Sequence, residues 1–312
     1  MRGAYGGWAG TYAQVRQFAP GGHHAALILT HDVDDITSYE LTPTFAELEA
    51  GLGVKATYNF TTSPYDIGGD VQTFYDASGM QDIQQALDLG MAVESHSVGH
   101  FSDFDLAPLT LGSSTESAAN YFPRWSDDLG ETIGMSVLGE VGVSRWLLEN
   151  DFNITVESFR SGGLLVPPEL FEGLTETGYR RDSSTASGVA RGSFPFVAFT
   201  VDGSSGDVTT YPIVEYPIAI SDDHIDPPFD ADHYDEYLDG WKAVITANYN
   251  NSAPTILLIH PVADSDNGAL RQQAEQDIIQ WAHDEGLDLW IGDWKTFAQF
   301  WETQGVTCSL GY

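Results

Sequence analysis

The sequence predicts an α/β fold, a barrel of parallel strands surrounded by helices. Two observations predict it. Short, nearly continuous apolar runs alternate along the chain with longer segments of helical character, as they do where a parallel sheet is buried on both faces. These β-α units are also numerous enough to favour a closed barrel over an open sheet. No internal repeat and no linker divides the 312 residues, a length that suits one large α/β domain or two small ones.

Taken in order, Ala25-Ala26-Leu27-Ile28-Leu29 is the first expected strand. A helix is expected over 43–52 with Thr42 as its N-cap, then a strand over 56–60. The next helix, over 80–89, is stopped by Gly90 and followed by a strand over 91–94. An amphipathic helix over 141–149 leads to a strand over 156–159. The helix over 168–177 has Pro168 in its first turn and Gly178 just past its end, where each residue costs least. Later strands are expected over 196–201, 213–218, 255–259 and 287–291, with helices over 270–283 and 296–303. The polar stretches 111–120, 183–193 and 202–210 are expected as loops, and in a β/α barrel the loops after strands build the active face. The segment over 3–17 carries Tyr5, Trp8 and Tyr12 and is expected to pack on the barrel, making residues 1–24 an arm and 25–312 the main domain.

Composition excludes several function classes. Asp and Glu total 46 against 12 Lys and Arg, a net charge of −34 that repels nucleic acid and anionic membranes. The acids are spread along the whole chain, so this is no acidic tail. Either they form a solvated surface that aids solubility, or they adapt the protein to high salt, which screens their mutual repulsion. Salt adaptation predicts a Tm that rises between low and molar KCl; a flat or falling Tm would contradict it. No apolar run approaches the length of a membrane span. The sole cysteine, Cys308, rules out an intrachain disulfide and a cysteine-based zinc site. Residues 1–7 hold no apolar core of a signal peptide. An extracellular or cell-envelope location is expected, with a cytoplasmic one left open.

Five short motifs carry chemistry, and four of them stand at or just past the end of an expected strand. Thr30-His31-Asp32-Val33-Asp34-Asp35 follows the first strand, and strand alternation puts Asp32 and Asp34 on one face with Asp35 on the other. Two carboxylates in one site call for a cation or a proton between them. His96-Ser97-Val98-Gly99-His100 holds two histidines four apart, which on a helical turn would share a face. With an aspartate they form a two-histidine, one-carboxylate set suited to a catalytic zinc or similar ion. Phe159-Arg160-Ser161-Gly162-Gly163 offers an arginine able to keep a carboxylate ionised. Tyr179-Arg180-Arg181-Asp182-Ser183-Ser184 is the fourth motif. In Ile256-Leu257-Leu258-Ile259-His260-Pro261 a histidine closes a strongly apolar strand.

In this order the five motifs resemble those of the polysaccharide deacetylases, the NodB homology domain of carbohydrate esterase family 4. The resemblance runs over 27–261, with the barrel closing through about residue 300. It implies a distorted barrel of about seven parallel strands and a hydrolase acting on an acetylated polysaccharide or oligosaccharide. It also implies one divalent cation, zinc first, with cobalt, nickel or manganese as alternatives. By the same resemblance Asp34, His96 and His100 would bind the metal, and Asp32 would be the general base, steadied by Arg160. His260 would be the general acid, tuned by Asp182. The sequence departs from the family pattern twice. Gly162 stands where a proline is usual, which leaves the oxyanion's backbone donor open. Asp34 and Asp35 are adjacent, so Asp35 is an alternative ligand with Asp34 then the base. No Gly-x-Ser-x-Gly elbow points to a serine esterase. The rival readings are a hydrolase of cyclic amides on the same fold and a carbohydrate-binding protein with a decayed site.

Overall fold

A computed structural model of the chain describes residues 17–63, 75–106, 109–223, 228–262 and 267–304. The expected N-terminal arm and Cys308 lie outside the described residues, apart from 17–24. The strands are β1 (Ala25–Val33), β2 (Thr57–Phe60), β3 (Ala92–Ser95), β4 (Arg124–Ser126), β5 (Glu131–Ile133), β6 (Ser158–Phe159), β7 (Arg181–Asp182), β8 (Phe196–Val201), β9 (Val208–Glu215), β10 (Ile220–Ser221), β11 (Thr255–Ile259) and β12 (Leu289–Asp293). The main helices are α1 (Ile36–Leu52), α2 (Ala77–Asp88), α3 (Val137–Phe152), α4 (Leu170–Thr177), α5 (Tyr234–Asn250), α6 (Asn267–Asp284) and α7 (Trp294–Thr303).

The main sheet runs β10-β11-β1-β2-β3-β6-β7-β9-β8, and all of its pairs are parallel except β8 with β9. β12 pairs with the first half of β1. The ring closes through one bent segment. The amides of Val214, Tyr216 and Ile218 donate to Arg180, Asp182 and Thr185, on the β7 side. The next amides, Ala219 and Asp222, donate to Ile256 and Leu258 of β11. Counting β9 and β10 as that one segment gives seven parallel staves, the distorted barrel expected from the motifs.

Alternation along β1 divides the interior. Ala26 and Ile28 belong to a cluster with Tyr216, Ile256, Leu258 and the α7 residues Trp294, Phe297 and Trp301. Leu27, Leu29 and Val33 belong instead to the larger cluster shared with the covering helices. Helix α7 therefore plugs the barrel with aromatic rings, and the polar site is built above that plug.

Two expectations about elements need correction. Helix α1 begins at Ile36, not at residue 43. Asp35 caps it by accepting from the Ser38 amide at 2.8 Å and the Thr37 hydroxyl at 2.9 Å, and Pro43 lies inside it. Thr42 is thus no cap, and its hydroxyl donates to the Ser38 carbonyl at 2.8 Å. The strand expected over 213–218 stops at Glu215, because Pro217 falls in the bend that closes the barrel. Among the described residues no helix is long and apolar enough to cross a membrane.

Candidate active site

Parallel strands bring their C-terminal ends to one rim, and register shows how. Ser95 pairs with Phe159, His31 with Ile259 and Val33 with Phe60. The residues just past these pairs, His96, Arg160, His260 and Asp34, therefore emerge side by side. Asp32 is one pleat below, level with Asn59.

Asp34 lies between three histidines. Its Oδ1 is 3.1 Å from His96 Nε2 and 3.7 Å from His100 Nε2, and its Oδ2 is 3.7 Å from His260 Nε2. Burial pushes the Asp34 carboxyl up, but His100 and His96 outweigh it and hold the group well below the usual carboxylate range. Asp35 turns away to cap α1, so the structure brings Asp34, and not Asp35, to the histidines. His96 and His100 do not sit on a helical turn as their spacing suggested. They come from an irregular loop in which Ser97 (φ 74°) and His100 (φ 50°) adopt left-handed backbone. Glu140 of α3 anchors this loop by accepting from the amides of Val98 (3.0 Å) and Gly99 (2.8 Å), and Tyr121 donates to its other oxygen at 2.7 Å.

Asp32 is buried beside Arg160. Arg160 Nη1 donates to Asp32 Oδ1 at 2.8 Å, and Asn59 Nδ2 donates to the same oxygen at 2.8 Å. Asp32 Oδ2 faces the site, 3.7 Å from His96 Nε2. Burial raises this carboxyl's pKa, but Arg160 and His96 prevail and keep it below its ordinary value. Arg160 is itself held by Thr30 and Ser183 and lies over the Trp294 ring of the plug.

His260 donates neither to nor through Asp182, contrary to expectation. Its Nδ1 is 2.7 Å from Asp222 Oδ1, and its amide donates to Asp222 Oδ2 at 2.9 Å. β10 pairs directly with β11, and Asp222, the residue just past β10, therefore reaches the ring. Asp182 is engaged elsewhere, accepting from the Ser184 hydroxyl at 2.7 Å and lying against the Glu215 carboxyl of β9. Burial would lower the pKa of His260, but Asp222 outweighs it and pushes the value up to about 10. Arg271 of α6 donates to Asp222 at 2.6 Å and fixes this partner in turn. The sequence reading missed Asp222, Glu140 and Asn59. A rim aspartate after an apolar run was a usable signal for the first, and an acid inside the apolar stripe of α3 for the second.

No protein-family model and no curated protein matches the sequence. Solved structures do match. A Mycobacterium smegmatis protein assigned as a polysaccharide deacetylase superposes with a TM-score of 0.61 at 14% identity, covering 92% of this chain and 93% of its own. A Pseudomonas aeruginosa protein of the same assignment gives 0.61 at 12% identity, covering 91% and 93%. The chain has the fold of the polysaccharide deacetylases. An allantoinase shares that fold, with a TM-score of 0.61 at 12% identity over 91% of this chain and 92% of its own.

On this polysaccharide deacetylase fold the rim residues fit a metal ion. Asp34, His96 and His100 each offer a ligand atom within 4.8 Å of the others. His96 Nδ1 lies 2.8 Å from the Arg160 carbonyl, which can only accept, so in the neutral ring that a metal ligand must be the proton sits on Nδ1 and Nε2 presents its lone pair to Asp34. Asp34 Oδ1 is buried with no hydrogen-bond partner. Two lone pairs facing each other call for a cation between them. Gly162 belongs to the same construction, since a Cβ there would lie 2.7 Å from His100 Cδ2. Gly162→Ala is expected to push His100 aside and weaken zinc binding at the rim by about 10–100-fold. An unchanged zinc titration would show that the close approach is unimportant. The Ser161 amide donates to Ser184 Oγ at 2.9 Å and is therefore not offered to the site.

Proposed function

We propose that this protein is a metal-dependent hydrolase that removes N- or O-linked acetyl groups from a polysaccharide or oligosaccharide. One observation carries the reading: a metal-type triad, an ionised buried aspartate and an aspartate-backed histidine meet at one rim of the barrel. Asp34, His96 and His100 would hold the ion, and two imidazoles with one carboxylate suit zinc. A divalent cation supplies Lewis acidity, polarising a carbonyl oxygen and making water more acidic. Asp32 accepts the proton of the attacking water through Oδ2, while Arg160 and Asn59 hold Oδ1 and fix its aim. His260 gives a proton from Nε2 to the departing amine or alcohol, and Asp222 on Nδ1 orients the ring. The products are acetate and the freed amino or hydroxyl group.

The allantoinase match keeps a second hydrolytic reading in play, the opening of a cyclic amide by the same groups. Incubation with chitin oligomers, peptidoglycan, acetylated xylan and allantoin separates the two. Acetate release from one of the carbohydrates is the expected result. Ring opening of allantoin without acetate release from any of them would overturn the deacetylase reading.

A further inference from the structure

Behind the strand that carries Asp32 and Asp34 lies a second convergence of ligand-type groups. His31, on the helix-facing side of β1, meets Glu49 of α1 and Glu275 of α6, and each of these three residues is 0% exposed. They offer ligand atoms that all lie within 4.8 Å of one another. His31 Nδ1 is 3.0 Å from the Ile259 carbonyl, an acceptor only, so the ring proton sits on Nδ1 and Nε2 presents a lone pair. That Nε2 is 2.7 Å from Glu49 Oε1 and 3.8 Å from Glu275 Oε1. The Tyr58 hydroxyl serves Glu49 Oε2 at 2.8 Å, while neither oxygen of Glu275 meets an N–H or hydroxyl donor and its carboxyl lies against that of Glu49. Acceptors thus face acceptors in a region without access to water, an arrangement that is costly unless something positive stands between them.

We propose that His31, Glu49 and Glu275 hold a second divalent cation, of zinc type, enclosed between β1, α1 and α6. Two carboxylates and a neutral imidazole balance a divalent charge, so the buried site as a whole is neutral. The ligand set is nitrogen and oxygen only, which suits zinc or a neighbouring first-row ion. With every ligand buried the site has no open position for substrate, so it is structural. It ties two helices to the strand whose next residues are Asp32 and Asp34, and it does not depend on what the rim site hydrolyses.

The test is zinc retained per chain after native dialysis against a chelator, using full-length protein folded in the presence of zinc. The wild type is expected to keep one chelator-resistant zinc in addition to an exchangeable one. The isosteric Glu275→Gln should lose the resistant zinc and keep the exchangeable one, whereas His96→Ala should do the reverse. X-ray absorption on the resistant zinc of His96→Ala should report a single imidazole among oxygen ligands. A wild type and a His96→Ala variant that both lack resistant zinc would overturn the proposal and leave protons to hold the cluster together. Should Glu275→Gln fail to fold, His96→Ala still decides, because it retains all three proposed ligands.

Discussion

His260→Ala is expected to lower kcat by about 10²–10⁴-fold, the range for a positioned general acid, while leaving exchangeable zinc at the rim unchanged. The separation follows from geometry. His260 Nε2 approaches Asp34 Oδ2 at 3.7 Å, but the compact ligand set is Asp34, His96 and His100. Asp222→Asn should act on the same group from behind. Asp222 stabilises the protonated ring, so losing its charge lowers the His260 pKa from about 10. A general acid works only while protonated, and the alkaline limb of the pH–rate profile should therefore move to lower pH. An alkaline limb that stays in place in Asp222→Asn, or full activity in His260→Ala, would remove His260 from the mechanism.

Arg160→Ala should be the most destabilising of the rim substitutions. Arg160 is fully buried and donates to Asp32, Thr30 and Ser183, so its loss leaves the Asp32 carboxylate buried without its cation. Breaking one side of a buried pair costs about 3–5 kcal/mol, a large part of the roughly 5–15 kcal/mol that holds a protein folded. The sign of the pH dependence follows from Asp32, whose folded pKa lies below its ordinary value. The pair's contribution is fully present above the unfolded value of about 3.9 and is lost as pH falls through the folded value. Denaturant unfolding at neutral pH measures the difference. A loss below about 1 kcal/mol would place the pair among weak, solvent-screened ones.

The sequence showed most of the rim because parallel strands gather their ends. Asp32, Asp34, His96, Arg160 and His260 each follow or close an apolar run, so each could be placed at the rim without knowing which strands were neighbours. What was missed depended on partners distant in sequence. Asp222 follows a strand of two residues that exists only because the chain bends after β9 to reach β11. The spacing of His96 and His100 suggested a helical turn, but they lie in a loop with left-handed residues held by Glu140, 42 positions from Val98 and 41 from Gly99. Helix α5 was not foreseen. Gly240 and the β-branched pair Val244 and Ile245 weaken its local propensity, and burial of Tyr237, Leu238, Trp241 and Ile245 outweighs them. The start of α1 was misplaced because Pro43 suggested a first turn, whereas the cap at Asp35 secures the helix seven residues earlier than that.

The central claim is a metal-centred hydrolytic site in which Asp34 is a ligand and Asp32 the base. Exchangeable zinc and acetate release, measured together in Asp32→Asn, Asp34→Asn and Asp35→Asn, test it most directly. The account predicts that Asp32→Asn keeps the zinc and loses turnover, Asp34→Asn loses both, and Asp35→Asn keeps both at some cost to the stability of α1. Zinc loss confined to Asp35→Asn, with zinc retained in Asp34→Asn, would contradict it.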